Sequence, residues 1–261
     1  MESTYYFIAK AGFVILTVLC LAFVLFGVRH TLLRVGWNAR RSNKRTLLVT
    51  AALLGWLAFA SILALQGVLS NFSATPPRLL LIILPPLIAI VWITFSPSFK
   101  AFLAHVPASW LISLQFFRVP VEIFLWLQFM AGLTPVQMTF EGRNWDVLTG
   151  LSAPLIAWLC FRGGRNLKGI AVTWNFIGLA LLLNIVVTAI LSAPTPFRVF
   201  MNEPANTLVA LFPIVFLPAV LVPLAYALHL FSLRKAYLSS ESNVTSEPIP
   251  AAAIQPTSPA V

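Results

Sequence analysis

The sequence predicts an all-α polytopic membrane protein: a seven-transmembrane-helix bundle with its N-terminus outside and its C-terminus in the cytoplasm. Three observations predict it. Hydrophobic residues make up 59% of the 261-residue chain and charged residues only 9%, against roughly 45–50% and about 25% in soluble domains. Seven stretches approach or reach the about 20 apolar residues that cross ~30 Å of hydrocarbon: 5–28, 47–69, 79–96, 109–131, 147–161, 169–192 and 207–233. The basic residues divide unevenly between the loops those stretches leave. The stretches are apolar on all faces and lack the alternation of barrel strands, so they are expected to be helices.

The first stretch follows Glu2 rather than a basic cluster, runs too long for a signal peptide and has no small-x-small site after it, so it reads as a retained span. Arg29, Arg34, Arg40, Arg41, Lys44 and Arg45 separate it from the second. Besides the lipid bilayer itself, anionic lipid headgroups are the candidate partner of that cluster, from 29 to 45. The third stretch carries Pro85-Pro86, and the fourth carries Gln115, Arg118 and Glu122. The fifth, at 15 residues, reaches only about 22 Å. Charge supports its crossing. With seven spans, twelve basic residues fall on one side: the six above, Lys100, Arg162, Arg165, Lys168, Arg234 and Lys235. Four fall on the other: Lys10, Arg78, Arg143 and Arg198. The positive-inside rule then sets the orientation. The sixth stretch contains Asn175 and Asn184, and the seventh Pro213, Pro218 and Pro223. From 238 to 261 the chain is Ser-, Glu-, Ala- and Pro-rich, which predicts a disordered cytoplasmic tail after a membrane domain spanning 1–237.

Gln115, Arg118 and Glu122 fall within a ~60° arc of one helix face, and Arg118 and Glu122 have the four-residue spacing at which side chains meet. An unpaired charge at mid-bilayer costs about 2.5–3.5 kcal/mol, so the arc is expected to face the bundle and the two to neutralise each other. Pro120 frees the Phe116 carbonyl beside them. The outer loop before the fifth stretch holds Glu141, Arg143, Asn144, Trp145 and Asp146. Either Asn144 or Asp146 can cap the following helix, or the loop can close over the arc. Phe117-Arg118-Val119-Pro120-Val121-Glu122 with Met138-Thr139-Phe140-Glu141-Gly142-Arg143-Asn144-Trp145-Asp146 resembles stretches of an uncharacterised family of bacterial multi-pass membrane proteins, over 115–154. That family carries no assigned activity, so the resemblance implies no chemistry.

Several functions are set aside. The +10 net charge sits at membrane flanks, so no nucleic acid is expected. Cys20 and Cys160 lie in apolar stretches and are not expected to pair. His30, His105 and His229 read as interfacial, so no metal or cofactor is expected. There is no His-Glu-x-x-His, Gly-x-Ser-x-Gly or Gly-rich phosphate loop, no lysine deep in the last stretch for a retinal, and no residue is assigned as catalytic. The leading reading is a small-solute or ion transporter-like, solute-binding protein of the cell membrane, with candidate substrate-binding residues Gln115, Arg118, Glu122, Glu141, Arg143, Asn144, Asp146 and Asn175. Its pocket would open outward, the fixed guanidinium suiting an anionic group. The alternatives are a structural or partner-binding subunit, whose partner proteins the sequence does not name, and an intramembrane enzyme using the acidic residues.

Overall fold

The computed structural model describes residues 3–244, with side chains to 239, and those residues are helical or looped, with no strand among them. Six helical segments are long and apolar enough to cross a membrane, or seven if one bent pair counts as a single span. α1 (Thr4–Arg34) and α2 (Ala39–Leu65) form a hairpin. Asn38 Oδ1 caps α2 by accepting from the Arg41 N–H at 2.9 Å, and Arg29 Nε donates to Asn43 Oδ1 across the turn.

α3 (Leu80–Phe95) ends at Ser96-Pro97, and α4 (Pro97–His105) departs at 80° to it. A loop was expected here. Ser96 Oγ instead accepts from the Phe99 N–H at 3.3 Å with proline at N1, a helix start in its own right. The fourth stretch is one rod, Ala108–Met130: α5 (Ala108–Ser113), a 3₁₀ turn at Leu114–Phe117 and α6 (Arg118–Met130). The tightened turn contains Phe116, whose carbonyl would be the ladder partner of residue 120, and Pro120 supplies no N–H to it. α7 (Val147–Phe161) continues through a 3₁₀ turn to Gly164, and α8 is Lys168–Ser192.

The last span departs most from expectation. Residues 207–215 are turns around a 3₁₀ segment, a π-helical turn occupies Leu217–Leu221, and α9 runs from Val222 to Val244. Pro213 lacks a donor and disfavours the α region at Phe212, which delays the helical span by about ten residues, whereas Pro218 sits in the first turn of the π-helical segment, where its missing N–H would have no partner. The helix also continues past 238, where a tail was expected. Leu238 packs on the main apolar cluster and Lys168 Nζ donates to the Ser239 carbonyl at 2.9 Å. The rest of the expected tail, 245–261, lies outside the described residues.

α9 is the axis of the bundle. It packs against α3, α4, α5 and α8, and 61% of its spanning window is buried, against 11% for α2. Around it, Phe13, Val121, Leu125, Leu182, Leu221 and Leu228 form the largest core. Cys20 and Cys160 are both buried and free.

Candidate functional site

α7 approaches the α5–α6 rod closely because its contacting row is small: Gly150, Ala153 and Ala157, all buried. A Cβ at Gly150 would lie 3.0 Å from the Val119 nitrogen and 3.3 Å from Arg118 Cβ. Asp146 is four residues before Gly150, on the same face of the turn that enters α7. That packing delivers its carboxylate to Arg118.

Arg118, 2% exposed, therefore pairs with Asp146 and not with Glu122 as expected. Nε donates to Asp146 Oδ2 at 2.6 Å and Nη2 donates to Oδ1, a bidentate fork. The third bond of Arg118 runs from Nη1 to His229 Nε2 at 3.0 Å. A guanidinium can only donate, so Nε2 accepts and the ring proton sits on Nδ1. Nδ1–H donates to Asn175 Oδ1 at 2.8 Å, and Asn175 Nδ2 donates to the Ala171 carbonyl at 2.7 Å and to Ser232 Oγ at 2.9 Å. His229 is thus a neutral acceptor inside the bundle, fully buried, and not an interfacial residue.

Glu122, also 2% exposed, takes a different partner. Asn144 Nδ2 donates to Glu122 Oε2 at 2.6 Å and to the Met138 carbonyl at 3.0 Å, while Asn144 Oδ1 accepts from the Asp146 N–H at 3.2 Å. Neither loop residue caps α7 with its side chain: Asp146 is engaged by Arg118 and Asn144 by Glu122. Gln115 is buried and ties the rod to α9 by donating to the Ala225 carbonyl at 3.1 Å.

Of the eight candidate residues, Gln115, Arg118, Glu122, Asn144, Asp146 and Asn175 line one buried polar layer. Glu141 and Arg143 do not join it. Both are exposed; Glu141 accepts from Trp126 Nε1 at 2.6 Å, and the Arg143 guanidinium lies 5.3 Å from the Phe200 ring. His229 and Ser232 were missed by sequence reasoning. Their signal was a three-residue polar spacing on an otherwise apolar helix, hidden by ending that helix at 233.

Arg118, Glu122 and Asp146 stand at the inner end of a cavity of about 200 Å³. Its walls are mostly apolar, Val121, Leu125, Met138, Leu182 and Ile185 among them. Along α8 it runs from Leu182 to Ile190, about 12 Å, and reaches Ala193 and the loop residues Pro77, Thr195 and Asn206 beyond it. Among the described residues no group of three or more His, Cys, Asp and Glu side chains has a metal-holding arrangement.

Gly178 of α8 bounds the layer from the other side. A Cβ there would meet His229 Cε1 at 2.4 Å and Nε2 at 2.8 Å, so Gly178→Ala forces the ring off Arg118 and Asn175. The expected loss is about 1–3 kcal/mol, read by denaturation in detergent. Gly169→Ala, on the same helix with nothing within 4 Å, is expected to be neutral or stabilising.

Fold and site define an all-helical protein of membrane type, built around a buried charged layer beneath an apolar cavity. The chain belongs to a family described as a domain of unknown function (DUF8737), which matches residues 75–237, more than half of its length and all of the layer. No curated protein and no solved structure matches it.

Proposed function

We propose that this protein binds a small amphiphilic solute with a cationic head in the cavity above Arg118, Glu122 and Asp146, as a transporter-type membrane protein. The observation that carries the reading is the partition of the three charges. Arg118 is neutralised by the bidentate contact with Asp146 and shares its remaining bond with a neutral histidine. Glu122 forms no ion pair among the described residues and has an amide as its hydrogen-bond partner. The group left to recognise a ligand is therefore a carboxylate, which reverses the preference for anions expected from the sequence. Apolar walls suit a short hydrocarbon body, and an ammonium group meeting Glu122 in low dielectric gains far more than it would in water. The orientation with the N-terminus outside, the placement in the cell membrane and the bacterial character of the family belong to the same proposal; the orientation is supported by the twelve-to-four division of basic residues.

A panel of matched six-carbon ligands tests it. Hexylamine is expected to raise the melting temperature of the purified protein, and hexanoate to leave it unchanged. Glu122→Gln, which keeps the shape and removes the charge, is expected to fold and lose the hexylamine response. Stabilisation by hexanoate, or a hexylamine response that survives Glu122→Gln, would overturn the reading.

A further inference from the structure

A second cavity, of about 590 Å³, lies on the opposite flank of α9 and shares no wall with the first at the charged layer. Gly27 and Thr31 of α1, Leu53 and Leu57 of α2, and Leu224 and Phe231 of α9 line it, with α3 and α4 closing the far wall. α2 packs on α1 and on the π-helical turn, and Trp56 Nε1 donates to the Ala219 carbonyl at 2.9 Å at the inner end. The space between α2 and α3 is left as a cleft. It extends along α1 from Leu21 to Thr31 and along the last span from Ala219 of the π-helical turn to Phe231 of α9, about 15 and 18 Å. One leaflet of hydrocarbon is about 15 Å deep, half of roughly 30 Å.

The rows of side chains lining this cleft all lead to arginine at the same end. Arg34, the last residue of α1, is three residues beyond Thr31. Arg45 is eleven residues before Trp56, another lining residue of α2, about three turns along one face. Arg234 is three residues beyond Phe231 on α9. Arg34 and Arg45 are exposed. The Arg234 guanidinium lies over the Phe95 and Tyr237 rings at 5.7 and 5.6 Å, and its Nε is buried with no hydrogen-bond partner among the described residues. From Gly27 to Leu57 the sequence holds six basic residues and no acidic one.

We infer that this cleft holds one acyl chain of an anionic phospholipid, whose headgroup is bound by Arg34, Arg45 and Arg234. The depth of one leaflet fits a lipid tail entering from the side. The cationic mouth, without a carboxylate on α1 or α2 to neutralise it, selects the headgroup. Guanidinium groups suit this role because they bind phosphate oxygens in a fork.

The test is native mass spectrometry of the full chain after reconstitution in equimolar phosphatidylglycerol and phosphatidylcholine with identical acyl chains. The wild-type protein is expected to retain phosphatidylglycerol at least tenfold over phosphatidylcholine. Each of Arg34→Gln, Arg45→Gln and Arg234→Gln should lower that preference about fivefold, the equivalent of about 1 kcal/mol. Arg40→Gln with Lys44→Gln, in the first turns of α2 but on a different face from Arg45, should leave it unchanged. Gly27→Trp fills open space, since nothing lies within 4 Å of a Cβ there, and should lower retention of both lipids. Equal retention of the two lipids by the wild type, or equal losses from the Arg40/Lys44 and Arg34/Arg45/Arg234 variants, would overturn the proposal. Unaltered lipid retention by Gly27→Trp would overturn the acyl-chain half of it.

Discussion

Arg118→Met and Asp146→Leu are each expected to lower the unfolding free energy by about 3–5 kcal/mol, and the double variant to recover most of that loss. The reason is burial. The two side chains are 2% and 7% exposed, so removing one leaves the other as an uncompensated charge in low dielectric, whereas apolar replacement of both removes two desolvation penalties at once. The same experiment with Arg118→Met and Glu122→Leu discriminates between the two possible partners. Those two residues share no hydrogen bond, so their double variant still strands Asp146 and is expected to recover little. Recovery by the Arg118/Glu122 pair instead of the Arg118/Asp146 pair would contradict the assignment.

Asn144→Leu is expected to be the most damaging neutral substitution in the loop, at about 3 kcal/mol or more. Asn144 is fully buried and bonds Glu122, the Met138 carbonyl and the Asp146 N–H. An isosteric apolar side chain strands all three, and a stranded buried partner costs about 1–3 kcal/mol, more when it is charged. Its neighbours provide the contrast. Glu141→Gln and Arg143→Gln alter exposed side chains, and each is expected to stay within about 0.5 kcal/mol of the wild type. Denaturation of the three variants in one detergent measures the difference.

The membrane character and the helical class were legible from composition and apolar run lengths, because both depend on sums over many residues. The inward face of Gln115, Arg118 and Glu122 was legible too, since helical periodicity and the cost of a charge in hydrocarbon both point there. Partner choice was not. Four-residue spacing made Glu122 the obvious mate of Arg118, but that rule knows only one helix. What decides the pairing is the close approach of α7 at Gly150 to Val119, 31 residues earlier in the chain. His229 was misplaced for a related reason. A seventh span drawn at 207–233 puts it near the end, whereas the spanning helical segment runs from Leu217 to Ser239 and holds His229 at its middle. Local rules marked each proline as a disruption, but the length of the displacement depends on Leu238 and Lys168 holding the far end of α9.

The claim that Glu122, and not Arg118, meets the ligand is tested most directly by a structure determined with hexylammonium bound. The account predicts density for the six-carbon chain between Val121, Leu182 and Ile185, with the ammonium nitrogen within hydrogen-bond reach of a Glu122 carboxylate oxygen, about 2.6–3.2 Å, and the Arg118–Asp146 fork intact. An ammonium seated on Asp146 with Arg118 displaced, or a cavity left without ligand at saturating hexylammonium, would contradict it.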